Sequence, residues 1–379
     1  MAAEPFPVRR LWPGVIVLVL LGLGHWLASR PRLGPLGEAE FVRLVEECSE
    51  NPRPFISDNW VSNETDYGCV LPLLRSWAPR HQVYIGVGPE QNFSYIAAVE
   101  PSYAFVVDIR RGNLLQHLYY KVLFEESDHP RQWLARLLGR STPPPADYAD
   151  WLMALKAAPP DPDVQREVLR LLRHRLQQLG LDLRKGDWEY LRRMQSTFAE
   201  QGLGLRFSYY RRQPDEPEFP TFHEVLLARD DRQGYANFLA SPEAYQRLRH
   251  MQLENRIIPL MGDFASWRAF SKLSRQLRQR NLRVGLFYAS NVEFYLMPKG
   301  LPGSGQEAFV FNLEALPSRA DSLILRTELK ARPQPHLFVS HLQRLQPFVR
   351  AYFAGQISNY RQCLQQGDLI PPFPEPATR

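Results

Sequence analysis

VYIGVGPEQNFSYIAAVEPSYAFVVDIRR, residues 83–111, is the stretch from which the fold can be read. Val83, Tyr84 and Ile85 form a short apolar strand. Gly86-Val87-Gly88 is a turn, residues 90–99 suit a helix, and Pro101 blocks its continuation. Tyr103 to Val107 is a nearly unbroken run of β-branched and aromatic residues, the pattern of a strand buried on both faces. Asp108 stands at its C-terminal end, where open parallel sheets place their ligands. Glycine lets the backbone approach a ligand closely, and a carboxylate can accept the hydroxyl protons of a ribose. The third glycine of a dinucleotide fingerprint is missing, since Gln91 occupies its place. Glu90 would repel a pyrophosphate at the helix start. A ligand with an amino-acid part and a nucleoside part but no phosphate fits better, which describes S-adenosylmethionine. A purely structural βαβ crossover with an incidental Asp108 gives the same pattern.

The same rhythm returns after residue 255. Arg256 to Met261 reads as a strand followed by Gly262-Asp263-Phe264. A helix over 265–280 leads to a strand at 284–288, and Ala289-Ser290-Asn291-Val292-Glu293 lies at its end. Ser322 to Thr327 is a further strand. Alternating strands and helices predict a mostly parallel sheet with right-handed crossovers. Asp108, Asp263 and Ser290-Asn291 would then share one sheet edge.

Between these two regions the chain is helical. Residues 38–50 and 112–138 read as helices. Residues 140–162 are rich in proline and read as a surface loop or boundary. Residues 163–180 carry Val164, Val168, Leu171, Leu172, Leu176 and Leu179 on a helical period with arginines opposite. That is an ordinary core helix or a basic amphipathic helix lying on a membrane. Asp187 can cap a helix running to about residue 201. Thr221-Phe222-His223-Glu224 is a capping box, and Ser241-Pro242-Glu243 is a second helix start, with a helix running to about Asn255. Residues 53–64 and 211–220 read as loops. The first precedes the sheet and could fold over a ligand.

Residues 11–28, LWPGVIVLVLLGLGHWLA, form an apolar run between Arg9-Arg10 and Arg30-Pro31-Arg32. Its length approaches that of a membrane span, and no A-x-A-like cleavage site follows it. The favoured reading is an uncleaved single-pass anchor, with a cleaved signal as the alternative, then a linker to residue 37 and a folded domain over 38–379. Arginines on both sides leave its orientation open.

The 379 residues carry 46 basic and 40 acidic side chains, a formal charge of +6. All but six of the basic residues are Arg, scattered along the chain, and no nucleic-acid-binding motif accompanies them. Three cysteines, Cys48, Cys69 and Cys363, without a C-x-x-C, and dispersed histidines without H-E-x-x-H, give no reason to expect a metal.

In this order of motifs the chain resembles the class I S-adenosylmethionine-dependent methyltransferases. VYIGVGPEQ at 83–91 is similar to their first motif, Asp108 in VVDIRR to the second, Gly262-Asp263 to the third, and FYASNVEFYL at 287–296 to the fourth. The phrases SDN-x-x-SNE, GVGPEQNF-x-YI, GDF and SNVE also resemble a bacterial branch of such proteins. The resemblance covers about 83–111 and 256–330. It implies a Rossmann-like α/β domain, with helices on both faces of the sheet and a long helical insertion at about 112–255. It implies S-adenosylmethionine as cofactor, held by Gly86, Gly88, Glu90, Asn92, Asp108, Ile109, Arg110, Gly262, Asp263 and Ser290. Gly86 and Gly88 would admit the methionine portion, Asp108 the ribose and Asp263 the adenine. If the acceptor carries a proton, Glu293 and Asp58 are the candidate bases, with Asn291 and Tyr288 as orienters and Asp58, Asn59 and Tyr288 toward the methyl acceptor. The resemblance names neither the acceptor nor the oligomeric state. It places the domain in the cytoplasm of a bacterium, on the inner membrane, if it is an enzyme. An inactive methyltransferase-like module tethered to the membrane stays open as the alternative, because the glycine motif is incomplete.

Overall fold

The computed structural model describes residues 34–77, 82–211, 218–297, 304–330 and 337–369. The apolar run 11–28 lies outside them, and among the described residues no helix is long and apolar enough to cross a membrane.

The chain begins with helices α1 (Glu38–Cys48) and α2 (Tyr67–Trp77), then β1 (Val83–Gly86), α3 (Gln91–Val99) and β2 (Tyr103–Asp108). A helical stretch follows: α4 (Arg111–Glu125), α5 (Pro130–Leu137), α6 (Tyr148–Ala157), α7 (Pro162–Leu179), α8 (Asp187–Gln201), α9 (Phe222–Leu226) and α10 (Pro242–Leu253). The chain then returns to the sheet with β3 (Ile257–Met261), α11 (Trp267–Gln279), β4 (Val284–Ser290), α12 (Val292–Leu296), α13 (Ser304–Ala315) and β5 (Ser318–Leu329). It ends on β6 (Phe338–Arg344), α14 (Leu345–Phe353), α15 (Tyr360–Gln365) and β7 (Asp368–Leu369).

These strands form one seven-stranded sheet in the order β3-β2-β1-β4-β5-β6-β7. The first five are parallel, and β6 runs antiparallel to both neighbours. The fold is therefore mixed α/β with mostly parallel strands. Strands β1, β2 and β3 are buried along their whole length, which is why they read as continuous apolar runs rather than as alternation. Helices α3, α2 and α10 pack together, α11 packs with α1 and α13, and α4 packs against both α10 and β3.

Local signals act as their chemistry requires. Thr221 and Glu224 form the reciprocal capping box, and Ser241 accepts from the Ala244 N–H ahead of Pro242. Helix α7 buries Val168, Leu172, Leu176 and Leu179, so its apolar stripe is a core face. Two expectations need correction. The proline-rich 140–162 holds helix α6, whose Trp151, Leu152 and Leu155 are buried. Asp187 does not cap α8 from outside. It lies within the first turn and pairs with Arg111 at 2.5 Å, and Gly186 takes the cap position.

Candidate functional site

All five parallel strands present their C-terminal ends at one edge, and the connections reverse direction around β1 and β4. From β1 the chain crosses to β2 on one side, and from β3 it crosses to β4 on the other. Such a reversal leaves a crevice outside the strand ends. The structure has a cleft there, with about 840 Å³ of unfilled space open to solvent. Its walls come from Val87-Gly88-Pro89 after β1, Asp108-Ile109-Arg110 after β2 and Gly262-Asp263-Phe264 after β3. Tyr288, Ser290 and Asn291 at the end of β4 and the loop through Phe55, Asn59 and Ser62-Asn63-Glu64 complete it. At the mouth the rings of Phe55 and Tyr295 meet edge to face at 5.5 Å.

The two glycines of the turn do different work. Gly88 has φ +84, and a Cβ there would meet only the Asn59 amide nitrogen at 3.9 Å. Its backbone is therefore open to the cleft. A Cβ on Gly86 would lie 2.0 Å from Asn92 Oδ1 and 2.5 Å from the Tyr84 hydroxyl, so Gly86 serves packing beneath the turn. Asn92 ties that turn down. Its amide donates to the carbonyls of Val87, Gly88 and Pro89 at 2.9, 3.1 and 2.7 Å, and its Oδ1 accepts from the Tyr84 hydroxyl at 2.8 Å. His117 Nε2 lies 2.9 Å from the Gly88 carbonyl. Burial pushes this imidazole down to about 4, so it is neutral and donates. Gly262 is also a packing glycine, since a Cβ would press on Val107 at 2.7 Å and Ala269 at 2.9 Å.

Asp108 is already engaged. Its Oδ1 accepts from the Arg110 backbone N–H and Nε, both at 2.9 Å, and its Oδ2 accepts from Arg110 Nη2 at 2.6 Å. A carboxylate has about four acceptor sites, so roughly one remains for a ligand hydroxyl. Arg110 also donates to the Asp58 carbonyl and lies over the Phe55 ring. Asp263 accepts from the Ala265 N–H at 2.8 Å and pairs with the exposed Arg53 at 3.2 Å.

The residue that sequence reasoning missed is Glu64. It is 1 % exposed, yet it lines the cleft. Its Oε1 accepts from Ser290 Oγ at 2.6 Å and Thr327 Oγ1 at 2.7 Å. Its Oε2 accepts from the Tyr288 hydroxyl and Gln91 Nε2, each at 2.9 Å. All four donors are neutral. Burial raises this carboxyl above its ordinary range, while the four hydrogen bonds oppose the rise. Two further acids lie close by. Asp66, bonded to Ser340 Oγ at 3.0 Å, is pushed up to about 8 by burial and by Glu64. Glu90, which accepts from the Ser62 N–H at 3.0 Å, is pushed up to about 7 by burial. Among the described residues no Arg or Lys hydrogen-bonds to any of the three. Ser290 holds its hydroxyl toward Glu64 from a left-handed backbone, φ +49, an uncommon state for a non-glycine residue.

Of the residues singled out in the sequence, the cleft gathers Asn59, Gly88, Asp108, Ile109, Arg110, Gly262, Asp263, Tyr288, Ser290 and Asn291. It does not gather five others. Gly86 and Asn92 lie beneath the turn, and Glu90 is buried behind Ser62. Asp58 pairs with Arg193 at 3.0 Å and accepts from the Tyr210 hydroxyl at 3.0 Å, away from the cleft wall. Glu293 is locked in a fully buried ion pair with Arg326, with Gln306 Nε2 donating to it at 2.8 Å, so it is not a cleft base. Cys48, Cys69 and Cys363 are buried free thiols. Among the described residues no group of His, Cys, Asp and Glu could hold a metal ion.

No curated protein matches the chain. Residues 59–366, which include every cleft residue except Phe55, match the family model described as Domain of unknown function (DUF7790), and the chain belongs to that family.

Proposed function

We propose that this protein is an S-adenosylmethionine-dependent methyltransferase with a Rossmann-like domain, held at a membrane through residues 11–28. One observation supports the reading best: a cleft at the strand-order reversal whose wall combines the open backbone of Gly88 with three acids, Asp108, Asp263 and Glu64. S-adenosylmethionine brings a sulfonium and an ammonium, and an anionic wall favours both. Its methionine portion would run along Gly88, and one ribose hydroxyl would take the free acceptor site on Asp108. The adenine would lie toward Gly262-Asp263-Phe264.

Methyl transfer is an in-line displacement, and the protein's contribution is to align donor and acceptor. Asn291 and Tyr288 would orient the acceptor, which enters past Phe55 and Tyr295. With Glu293 sealed against Arg326, this reading favours an acceptor that loses its proton without a dedicated base. A second reading, a tethered binding module without activity, draws support from the same ion pair and from Arg110, which fills most of Asp108.

The test is calorimetric titration of the detergent-solubilised full chain with S-adenosylmethionine and S-adenosylhomocysteine. Micromolar binding of either is expected. A folded protein that binds neither would count against the cofactor and leave the binding module as the reading.

A further inference from the structure

We infer that the cleft opens away from the membrane to which residues 11–28 hold the protein, so that the methyl acceptor is a water-borne molecule and not a lipid of that bilayer. The inference rests on the membrane anchor of the proposed function. It adds the class of acceptor, which the resemblance to methyltransferases leaves open.

The described chain begins at the N-terminal edge of the sheet, opposite the cleft. The hydroxyl of Tyr103, the first residue of β2, donates to the Gly34 carbonyl at 2.7 Å. The Leu36 N–H donates to the Glu254 carbonyl at 2.9 Å, and Asn255 Nδ2 donates to the Leu36 carbonyl at 2.8 Å, just ahead of β3. The cleft lies at the far ends of these same strands, at Asp108 and past Met261. Helix α1 measures the separation independently. Its 11 residues span about 16 Å from Glu38 to Cys48. It delivers Glu50 to the cleft edge, where the Glu50 N–H donates to the Met261 carbonyl at 3.0 Å and Glu50 Oε1 accepts from the Asp263 N–H at 2.6 Å. Strand β2, from Tyr103 to Asp108, covers about 17 Å. The two lengths agree, so Gly34 and the cleft stand a full strand length apart.

The chain between the apolar run and Gly34 is too short to undo that separation. Residues 29–33 extend at most about 18 Å. Part of that reach is used in crossing the headgroup layer, which adds about 5–7 Å on each side of the hydrocarbon. To turn the cleft toward the bilayer, the linker would have to climb the whole length of β2 and the loops beyond it. The domain can tilt on such a tether but cannot invert. This orientation also gives the rim of the cleft a role. Ile56, next to Phe55, and Phe294, whose ring meets that of Tyr295 at 5.4 Å, are 51 % and 55 % exposed. Facing water, this apolar rim is a contact surface for the acceptor and not for acyl chains.

The experiment is fluorescence energy transfer from the full chain to lipid vesicles whose headgroups carry a dye. Cys48, Cys69 and Cys363 are buried, so the donor dye goes to a cysteine introduced at the surface. One variant is Gln279→Cys, in the hollow beside Gly34, and the other is Ile56→Cys, at the rim. The Gln279 position is expected to transfer at least about twofold more efficiently than the Ile56 position, because a strand length separates them along the sheet. Equal transfer, or more from the Ile56 position, would overturn the inference, since the mouth would then lie at the bilayer with lipids in reach. Transfer from neither position would show that the chain is not on the membrane. That result would sink the anchor and the inference with it, and would leave the cofactor to its own titration.

Discussion

The two ends of the cleft hold carboxylates in opposite circumstances. After β2, Asp108 meets Arg110 two residues along the same chain, and the pair is nearly sealed from solvent. At the end of β4, Glu64 arrives from a distant loop and meets hydroxyls and an amide. The first end has its charge cancelled by its own neighbour, at the cost of desolvating both groups. The second end is hydrogen-bonded on both oxygens with no cation paired to it, and burial raises its carboxyl above the ordinary range. Hydrogen-bond satisfaction and charge compensation are therefore separate requirements, and this cleft meets them separately.

The largest expected effect comes from breaking the compensated end. Asp108→Ala leaves the Arg110 guanidinium, 9 % exposed, without its counter-ion. Removing one partner of a buried pair typically costs about 3–5 kcal/mol. Urea denaturation of the variant should show a loss of that order. Replacing both residues, as Asp108→Ala with Arg110→Ala, should cost less than Asp108→Ala alone, because no orphan charge is left. Equal or greater loss in the double variant would mean that the pair is not the unit described here.

How far this contrast was legible in the sequence differs between its ends. Asp108 could be found because a doubly buried strand announces itself as YAFVV and its tip follows at once. Gly88, Asp263, Ser290 and Asn291 were found in the same way, as residues just past strand ends. Glu64 could not be, since no periodicity links residue 64 to strands that start at 83, 284 and 318. One faint signal existed: residues 54–74 contain Asp58, Glu64 and Asp66 but no Lys or Arg. Strand β6, FVSHLQR, was unreadable because polar Ser340, His341 and Gln343 are buried within it beside the apolar residues. Strand β5 looked shorter than it is because Arg319 and Ala320 are exposed ahead of its buried part. Helix α6 was masked by the prolines around it, although YADWLMALKA contains good helix formers. Gly86 and Gly88 look alike in sequence. Only the neighbours of each Cα show that one is for packing and the other faces the cleft.

The smallest effect, and the one that probes the uncompensated end directly, is the dependence of stability on pH. Asp66 and Glu90 are raised from 3.8 to about 8 and from 4.5 to about 7, by burial first and, for Asp66, by Glu64 as well. Glu64 is raised in the same direction, and the groups packed around it, Tyr84, Tyr95 and Tyr288, are raised further and stay protonated. Over the interval between the unfolded and folded values, the folded protein holds protons that the unfolded chain has lost. Stability therefore falls as pH rises through it. His117 acts the other way, because its fall from 6.5 to about 4 makes stability rise with pH between those values. The two slopes oppose each other below pH 6.5, and the acids act without His117 from there to about pH 8. The melting temperature of the full chain should decline across that upper window, and Asp66→Asn should flatten the decline. A melting temperature that is level or rising there would mean that the acids of this end are compensated after all, and the contrast with Asp108 and Arg110 would fail.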